Sequence, residues 1–247
     1  MTAVEHDAGP VALVTGGSGT IGGAMCRALA GAGYTVAVHR HRGGSEAEEL
    51  AAALGGRSFA VKADVRVWPE VAAMEEEVRD RVGPVDVLVN AAGVRADGLM
   101  AGQAIAEWHD VIDVNLLGTF HTTRAVLPSM LRRRRGQVVN VVSPSAFVGN
   151  AGQTAYSAAK AGVVAMTRSL ACECAKRSVV VNALSPGFVA TAMTDGLADE
   201  VRDDIIDRVP LRRPAEPEEI ADALLALLGL SYVTGHVLAI DGGLAIT

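Results

Sequence analysis

The feature that most restricts this chain is a strand-forming run, Val11 to Val14, that breaks into Thr15-Gly16-Gly17-Ser18-Gly19-Thr20-Ile21-Gly22 and resumes as an Ala/Leu-rich helical stretch through Leu29. Strand, glycine turn and helix in that order aim backbone N–H groups and the positive end of a helix dipole at one point, which suits a pyrophosphate. Glycines in such a place also simply permit a tight turn, so the motif alone leaves both readings open. Gly16, Ser18, Thr20, Ile21 and Gly22 are the candidate phosphate contacts.

The alternation continues along the chain. Strands are expected at Thr35 to Val38, Ser58 to Lys62, Val85 to Val89, Gln137 to Val142, Val179 to Leu184 and Val237 to Ile240. Helices are expected near Glu46 to Leu54, Pro69 to Val82, Trp108 to about Arg133, Ala155 to Lys176 and Glu218 to Leu228. Such alternation builds right-handed βαβ units, so the expected fold class is α/β, a doubly wound parallel sheet with helices on both faces. No low-complexity linker interrupts it, and residues 1–247 are expected to form a single dinucleotide-binding and catalytic domain. Within the breaker-rich region Pro186 to Pro217, residues 188–216 read as a substrate flap, with Met193, Leu197, Ile205 and Ile206 among acids.

Composition removes several functional classes. No apolar run approaches the ~18 residues of a membrane span, and the first ten residues, with Glu5 and Asp7, do not read as a signal peptide. A cytoplasmic location is expected. The net charge of -6 offers no global positive field to nucleic acid. Cys26, Cys172 and Cys174 form neither a disulfide framework nor a metal-ligand spacing, so they read as small apolar residues and no metal site is expected.

Two later segments sharpen the picture. Where an acid would bond the ribose 2′-hydroxyl of NAD, the end of the second strand carries His39-Arg40-His41-Arg42. A guanidinium pairs with phosphate in a forked geometry, so Arg40, His41 and Arg42 favour NADPH over NADH; the alternative is a solvated basic loop. Asp64, after the third strand, suits either a contact to the adenine amino group or a cap on the next helix.

Tyr156 and Lys160 stand four apart at the start of an expected helix and therefore share a face. An ammonium beside a phenol favours the phenolate. Ser143 ends the preceding strand, at the sheet edge where open α/β folds bind ligands, and its hydroxyl can donate to a carbonyl oxygen that gains charge.

These residues carry a resemblance. From about Val11 to Gly243 the chain resembles the short-chain dehydrogenase/reductase family, matching in order the Thr-Gly turn, Asp64-Val65, Asn90-Ala91-Ala92-Gly93, Asn115, Ser143, Tyr156-xxx-Lys160 and Pro186-Gly187. The resemblance implies a Rossmann-type fold and an NADPH-dependent oxidoreductase. It implies Tyr156 as general acid, Ser143 as orienter of the substrate oxygen, and Lys160 as binder of the nicotinamide ribose and depressor of the tyrosine pKa. Asn115 would anchor a water in a proton relay; the alternative is a polar residue bending a long helix. Val65, Asn90, Ala91, Gly93, Pro186 and Gly187 join the cofactor set, and the backbone from Phe188 through Val189 to Thr191 would touch the nicotinamide carboxamide. Two departures stand out: Thr20 replaces a usual glycine, which would strain the turn if that position needs positive φ, and Ala91-Ala92 contains Ala where a second Asn is common.

Within the family, Gly149-Asn150-Ala151-Gly152-Gln153 and Ser185-Pro186-Gly187-Phe188-Val189 most resemble β-ketoacyl-(acyl-carrier-protein) reductases. That branch implies an acidic acyl carrier protein as partner, with Arg134 and Arg177 as docking candidates, although cations at helix C-termini have a structural use too. A homotetramer is the family expectation, and the leucines at 224, 225, 227, 228 and 230 crowd the last helix beyond one core stripe. The rival readings are an NADP-linked alcohol or sugar dehydrogenase acting on a free small molecule, and a non-catalytic NADPH-binding regulator.

Overall fold

The computed structural model describes residues 9–191 and 199–246. Among them, β1 (Val11–Thr15), β2 (Thr35–Arg40), β3 (Phe59–Lys62), β4 (Val87–Asn90), β5 (Gly136–Val141), β6 (Val179–Pro186) and β7 (Val237–Ile240) form one sheet of order β3-β2-β1-β4-β5-β6-β7. Every pairing is parallel. The helices are α1 (Thr20–Gly31), α2 (Glu46–Leu54), α3 (Trp68–Val82), α4 (Ile105–Ile112), α5 (Gly118–Arg133), α6 (Thr154–Cys174), α7 (Asp199–Arg208) and α8 (Pro217–Leu228).

All of β1 is buried, as a parallel strand covered on both faces must be. Ala12 and Val14 pack into one core with Met25 and Leu29 of α1 and with Ile220 and Leu224 of α8. Val11 and Leu13 point the other way, into a core built by Val71, Met74 and Val78 of α3 and by Val126 and Met130 of α5. Alternate residues of one strand thus feed two layers, and the expected doubly wound α/β sheet is what forms. Strand order reverses between β1 and β4, which opens a crevice at their C-terminal ends.

The structure departs from expectation in four places. The long helix begins at Ile105 and is broken by a π-helical turn over Asp113–Leu117. Asn115 lies inside that turn, where its amide donates to Val111 O and Val94 O, both at 2.8 Å, and the Thr119 hydroxyl donates to Asn115 O at 2.7 Å. Side chains that bond the backbone in this way divert the i→i−4 ladder. The flap region is not wholly irregular, since it contains α7 with Ile205 and Ile206 half-buried; Met193 and Leu197 lie outside the described residues. Thr20 begins α1, and the left-handed position of the turn belongs to Gly16, at φ 65°, so the strain expected at Thr20 is absent. Cys172 is exposed, whereas Cys26 and Cys174 are buried. Among the described residues no helix is long and apolar enough to cross a membrane.

Two adjacent glycines at the start of α1 differ sharply in what a side chain would meet. A Cβ on Gly22 would sit 2.2 Å from Gly16 O, a backbone atom that cannot step aside, whereas the nearest atom to a Cβ on Gly23 is at 3.5 Å. Gly22→Ala is therefore expected to lower stability by about 2–3 kcal/mol or more, and Gly23→Ala to be neutral or to raise it by up to about 1 kcal/mol. Thermal melting of the two variants checks the contrast.

Candidate active site

The crevice begins with Thr15, the last residue of β1. Its hydroxyl accepts the N–H groups of Ala91 and Ala92, both at 3.1 Å, and so ties β1 to the loop after β4. Gly16 follows, with its Cα so close to Ala92 that an added Cβ would lie 2.8 Å from Ala92 Cα. The turn closes through Gly19 N–H donating to Gly16 O at 3.0 Å. No side chain caps α1 and no acid occupies its first turn, so Thr20, Ile21 and Gly22 present an uncapped helix N-terminus, with Ser18 exposed beside it. Free N–H groups and an unopposed dipole at a helix N-terminus favour negative charge beside it.

The basic run divides into different environments. His39 is buried, and its Nδ1 accepts from Gly16 N–H while its Nε2 donates to Ala63 O, each at 3.0 Å. Arg40 turns back to α2, with Nη2 2.7 Å from Glu48 Oε1 and Nη1 3.4 Å from Gly43 O. His41 Nε2 sits 3.2 Å from Asp64 Oδ2. Arg42 is exposed and has no ion-pair partner among the described residues. His41, Arg42 and Lys62 share a polar recess with Asp64 and Glu70.

Asp64 is neither a free acceptor nor a helix cap. Its carboxylate receives Arg66 through Nε and Nη2 as well as the Arg66 backbone N–H, and the Arg66 guanidinium beside it holds its pKa down to about 2. The residue capping α3 is Val67, which has no side-chain acceptor. Val65 packs against Gly118, and its carbonyl pairs with the His121 ring.

Tyr156, Lys160, Ser143 and Asn115 come together at the C-terminal edge of the sheet. Lys160 is buried on α6, and its Nζ donates to Val141 O at 2.9 Å and lies 5.6 Å from the centre of the Tyr156 ring. Burial holds Lys160 down to about 8. Ser143 is close enough to the Tyr156 hydroxyl to pull its pKa down. The expected lowering of the phenol by Lys160 does not dominate: burial pushes Tyr156 up, against Arg95 and Ser143, which pull it down. Asn115 Oδ1 is buried without a hydrogen-bond partner among the described residues, and a Cβ on Gly93 would sit 2.7 Å from it and 3.6 Å from Lys160 Nζ.

A polar chain not foreseen from sequence leads away from Ser143. Ser145 N–H donates to Ser143 Oγ at 3.3 Å, Ser145 Oγ donates to Gln153 Oε1 at 3.0 Å, and Gln153 Nε2 faces Asp97 Oδ2 at 3.3 Å. Arg95 pairs with Asp97 at 2.5 Å. The chain crosses from the loop after β4 to the loop after β5, which is why linear spacing did not reveal it. Around it stand exposed apolar side chains from the same two loops, Val94, Leu99, Met100 and Phe147.

Other sequence candidates take structural positions. The Asn90 amide donates to Asn140 Oδ1 at 2.8 Å and to Thr123 Oγ1 at 3.0 Å, and its oxygen accepts from Thr122 at 2.6 Å, so this side chain is committed to the core. Gly93, unlike Asn90, reaches the catalytic group, and Ala91 is held at the crevice by Thr15. Pro186 closes β6 opposite Ile240, and Gly187 presses on Asp241. Beyond them, Val189 pairs with Ala215, and Ala190 N–H and Phe188 O are taken by Ala215, while Thr191 ends the described segment. Arg134 occupies a left-handed position at φ 53° at the end of α5 and donates to Lys176 O at 2.8 Å; Arg177 is exposed after α6. Both lie at the N-terminal edge of the sheet. The six residues of β5 separate Arg134 from Ser143, about 20 Å at ~3.3 Å per residue.

Comparison with known proteins agrees with this geometry. The family model described as short chain dehydrogenase matches residues 10–202. The chain is 42% identical over 238 residues to the 3-oxoacyl-[acyl-carrier-protein] reductase FabG of Staphylococcus epidermidis, covering 94% of this chain and 98% of that protein. It is 43% identical over 240 residues to the acetoacetyl-CoA reductase of Allochromatium vinosum, covering 95% and 98%. To nodulation protein G of a Rhizobium species it is 41% identical over 239 residues, covering 96% and 97%. With a site of this geometry at the carboxyl edge of a doubly wound sheet, the chain belongs to the short-chain dehydrogenase family and is an oxidoreductase.

Proposed function

We propose that this protein reduces the β-keto group of an acyl thioester with NADPH. The observation that carries the proposal is the grouping of Tyr156, Ser143 and Lys160 at one edge of the sheet, with Lys160 Nζ on Val141 O and 5.6 Å from the Tyr156 ring, near a helix N-terminus with no side-chain cap and no acid. Both named reductases among the relatives act on acyl thioesters by their names, a carrier-linked one and a coenzyme A one. The apolar side chains of Val94, Leu99, Met100 and Phe147 beside the site suit an acyl chain.

The residues present fit a dinucleotide. The uncapped turn of Thr20, Ile21 and Gly22 matches a pyrophosphate, and Gly16 and Gly22 let the turn pack backbone against backbone. When bound, NADPH supplies the hydride that adds to the carbonyl carbon. Tyr156 gives its phenol proton to the carbonyl oxygen, so a C–H and an O–H bond form as the C=O π bond breaks. Ser143 donates a hydrogen bond to the same oxygen as it gains charge. The cationic Lys160 stabilises the phenolate left behind and holds a ribose hydroxyl. The unpaired Asn115 Oδ1, next to Lys160, can accept from a water that returns the proton. A carrier bound at Arg134 and Arg177 of one chain would lie at the opposite edge of the sheet from that chain's Ser143.

Tyr156→Phe is expected to cut the rate of NADPH oxidation with a β-ketoacyl thioester by about 10²–10⁴-fold while NADPH affinity, read by calorimetry, is retained. Full activity in that variant overturns the mechanism. Burial holds Lys160 at about 8, so its ammonium is present below that pH and lost above it, while the phenol, pushed up, stays protonated. The kcat/KM for reduction should therefore be level below about pH 8 and fall above it. Arg42, exposed and unpaired, is expected to bear the 2′-phosphate: Arg42→Ala should weaken NADPH about tenfold and leave NADH unchanged. Arg40→Ala, whose guanidinium is held by Glu48, should do less, and dissociation constants for both nucleotides measure the difference.

A further inference from the structure

We infer that His39 is a positioning residue for the dinucleotide, holding the phosphate-facing turn in register through its neutral imidazole while contributing nothing to the choice between NADPH and NADH. The inference rests on the reading that the turn from Gly16 to Gly22 receives a dinucleotide, and it separates two jobs within the run of four basic residues.

The geometry is specific. His39 is 1% exposed and stands one residue before the end of β2. Its two ring nitrogens reach two other loops, Gly16 N–H after β1 and Ala63 O after β3, both at 3.0 Å. Gly16 N–H can only donate and Ala63 O can only accept, so the ring is fixed as the tautomer with its proton on Nε2. Both bonds use the neutral form. A protonated ring would direct a second N–H at the Gly16 N–H and lose that bond. Burial keeps the ring neutral, holding His39 down to about 4.

The consequence follows from where Gly16 sits. It is the left-handed residue that starts the turn, at φ 65°, pressed against Ala92, and its carbonyl receives the Gly19 N–H that closes the turn. Thr15 secures the side of the turn toward β4, and His39 secures the side toward β2. Removing the imidazole takes the acceptor from the part-buried Gly16 N–H, and a shift of the turn that seeks another displaces the N–H groups of Thr20, Ile21 and Gly22 together. Every dinucleotide has a pyrophosphate, so NADPH and NADH lose equally. Being neutral and enclosed, His39 has no charge to offer a 2′-phosphate; that preference stays with the exposed Arg42.

The experiment is calorimetric titration of NADPH and of NADH into wild type, His39→Asn, His39→Gln and His39→Phe, with thermal melting of each unliganded protein. The Asn side chain keeps an acceptor near Nδ1 and restores the bond to Gly16, whereas Gln reaches Ala63 only. We expect His39→Gln and His39→Phe to weaken both nucleotides by about tenfold or more, with their ratio unchanged, and His39→Asn to stay within about threefold of wild type. If His39→Phe does not fold, the Asn and Gln pair makes the same comparison between two polar side chains. A lowered melting temperature with unchanged dissociation constants assigns His39 a purely structural role and overturns the inference. So does a changed NADPH-to-NADH ratio, or an equal loss in Asn and Gln. Failure of the wild-type protein to bind either nucleotide would instead remove the reading of the turn itself.

Discussion

Because β1 pairs in parallel with β2 on one side and β4 on the other, and the chain crosses to opposite faces of the sheet, the C-terminal ends of β1 and β4 part and leave a gap that only bare backbone can line. The site depends on that gap being held open to a fixed width. Thr15 spans it with two hydrogen bonds to the loop after β4, and Gly16 touches Ala92 across it with no room for a side chain. From there the parallel register carries the ends of β5 and β6 to the same edge. Ser143 and the segment after Pro186 therefore arrive beside the turn without any further device.

The second theme is the burial of polar groups that other proteins leave in water. Lys160 is enclosed, and the cost of its desolvation is offset in part by Val141 O and shows itself as a depressed pKa. Asn90, Asn140, Thr122, Thr123 and Thr167 lie in the core as one hydrogen-bonded set that ties β4 and β5 to α5 and α6. Such a set specifies one packing of these helices on the sheet, because any other leaves buried amides unpaired. Tyr156 and Lys160 ride on α6, so their aim inherits that specification.

Charged side chains in this molecule often serve as ties rather than as reactive or docking groups. Arg40 binds Glu48, Arg66 forks onto Asp64, Arg133 reaches Asp86, and Arg134 closes the end of one helix on the carbonyl that ends another. Clusters of basic residues that look equivalent in one dimension thus separate into bound and free members. Within the run from His39 to Arg42, Arg42 has no ion-pair partner among the described residues, and in the run from Arg132 to Arg135 Arg133, Arg134 and Arg135 are engaged.

Periodicity was enough to read the strands and the doubly wound sheet, because these follow from local backbone preference, whereas the glycine turn alone left two readings open and Ser143, Tyr156 and Lys160 were grouped by their order along the chain and by the resemblance. The π-helical turn at Asn115 was not legible, since an asparagine inside a helical pattern gives no sign of which carbonyls its amide will reach. Nor was the chain from Ser143 through Gln153 to Asp97, whose members come from two loops that meet only when β4 and β5 are paired. The sequence by itself determined the class of fold and named the candidate reacting groups. Tertiary structure decided which of the charged and polar residues remain available to a ligand, because that depends on partners distant in the chain, as Gly16 and Ala63 are from His39, and on the burial that only the closed fold imposes.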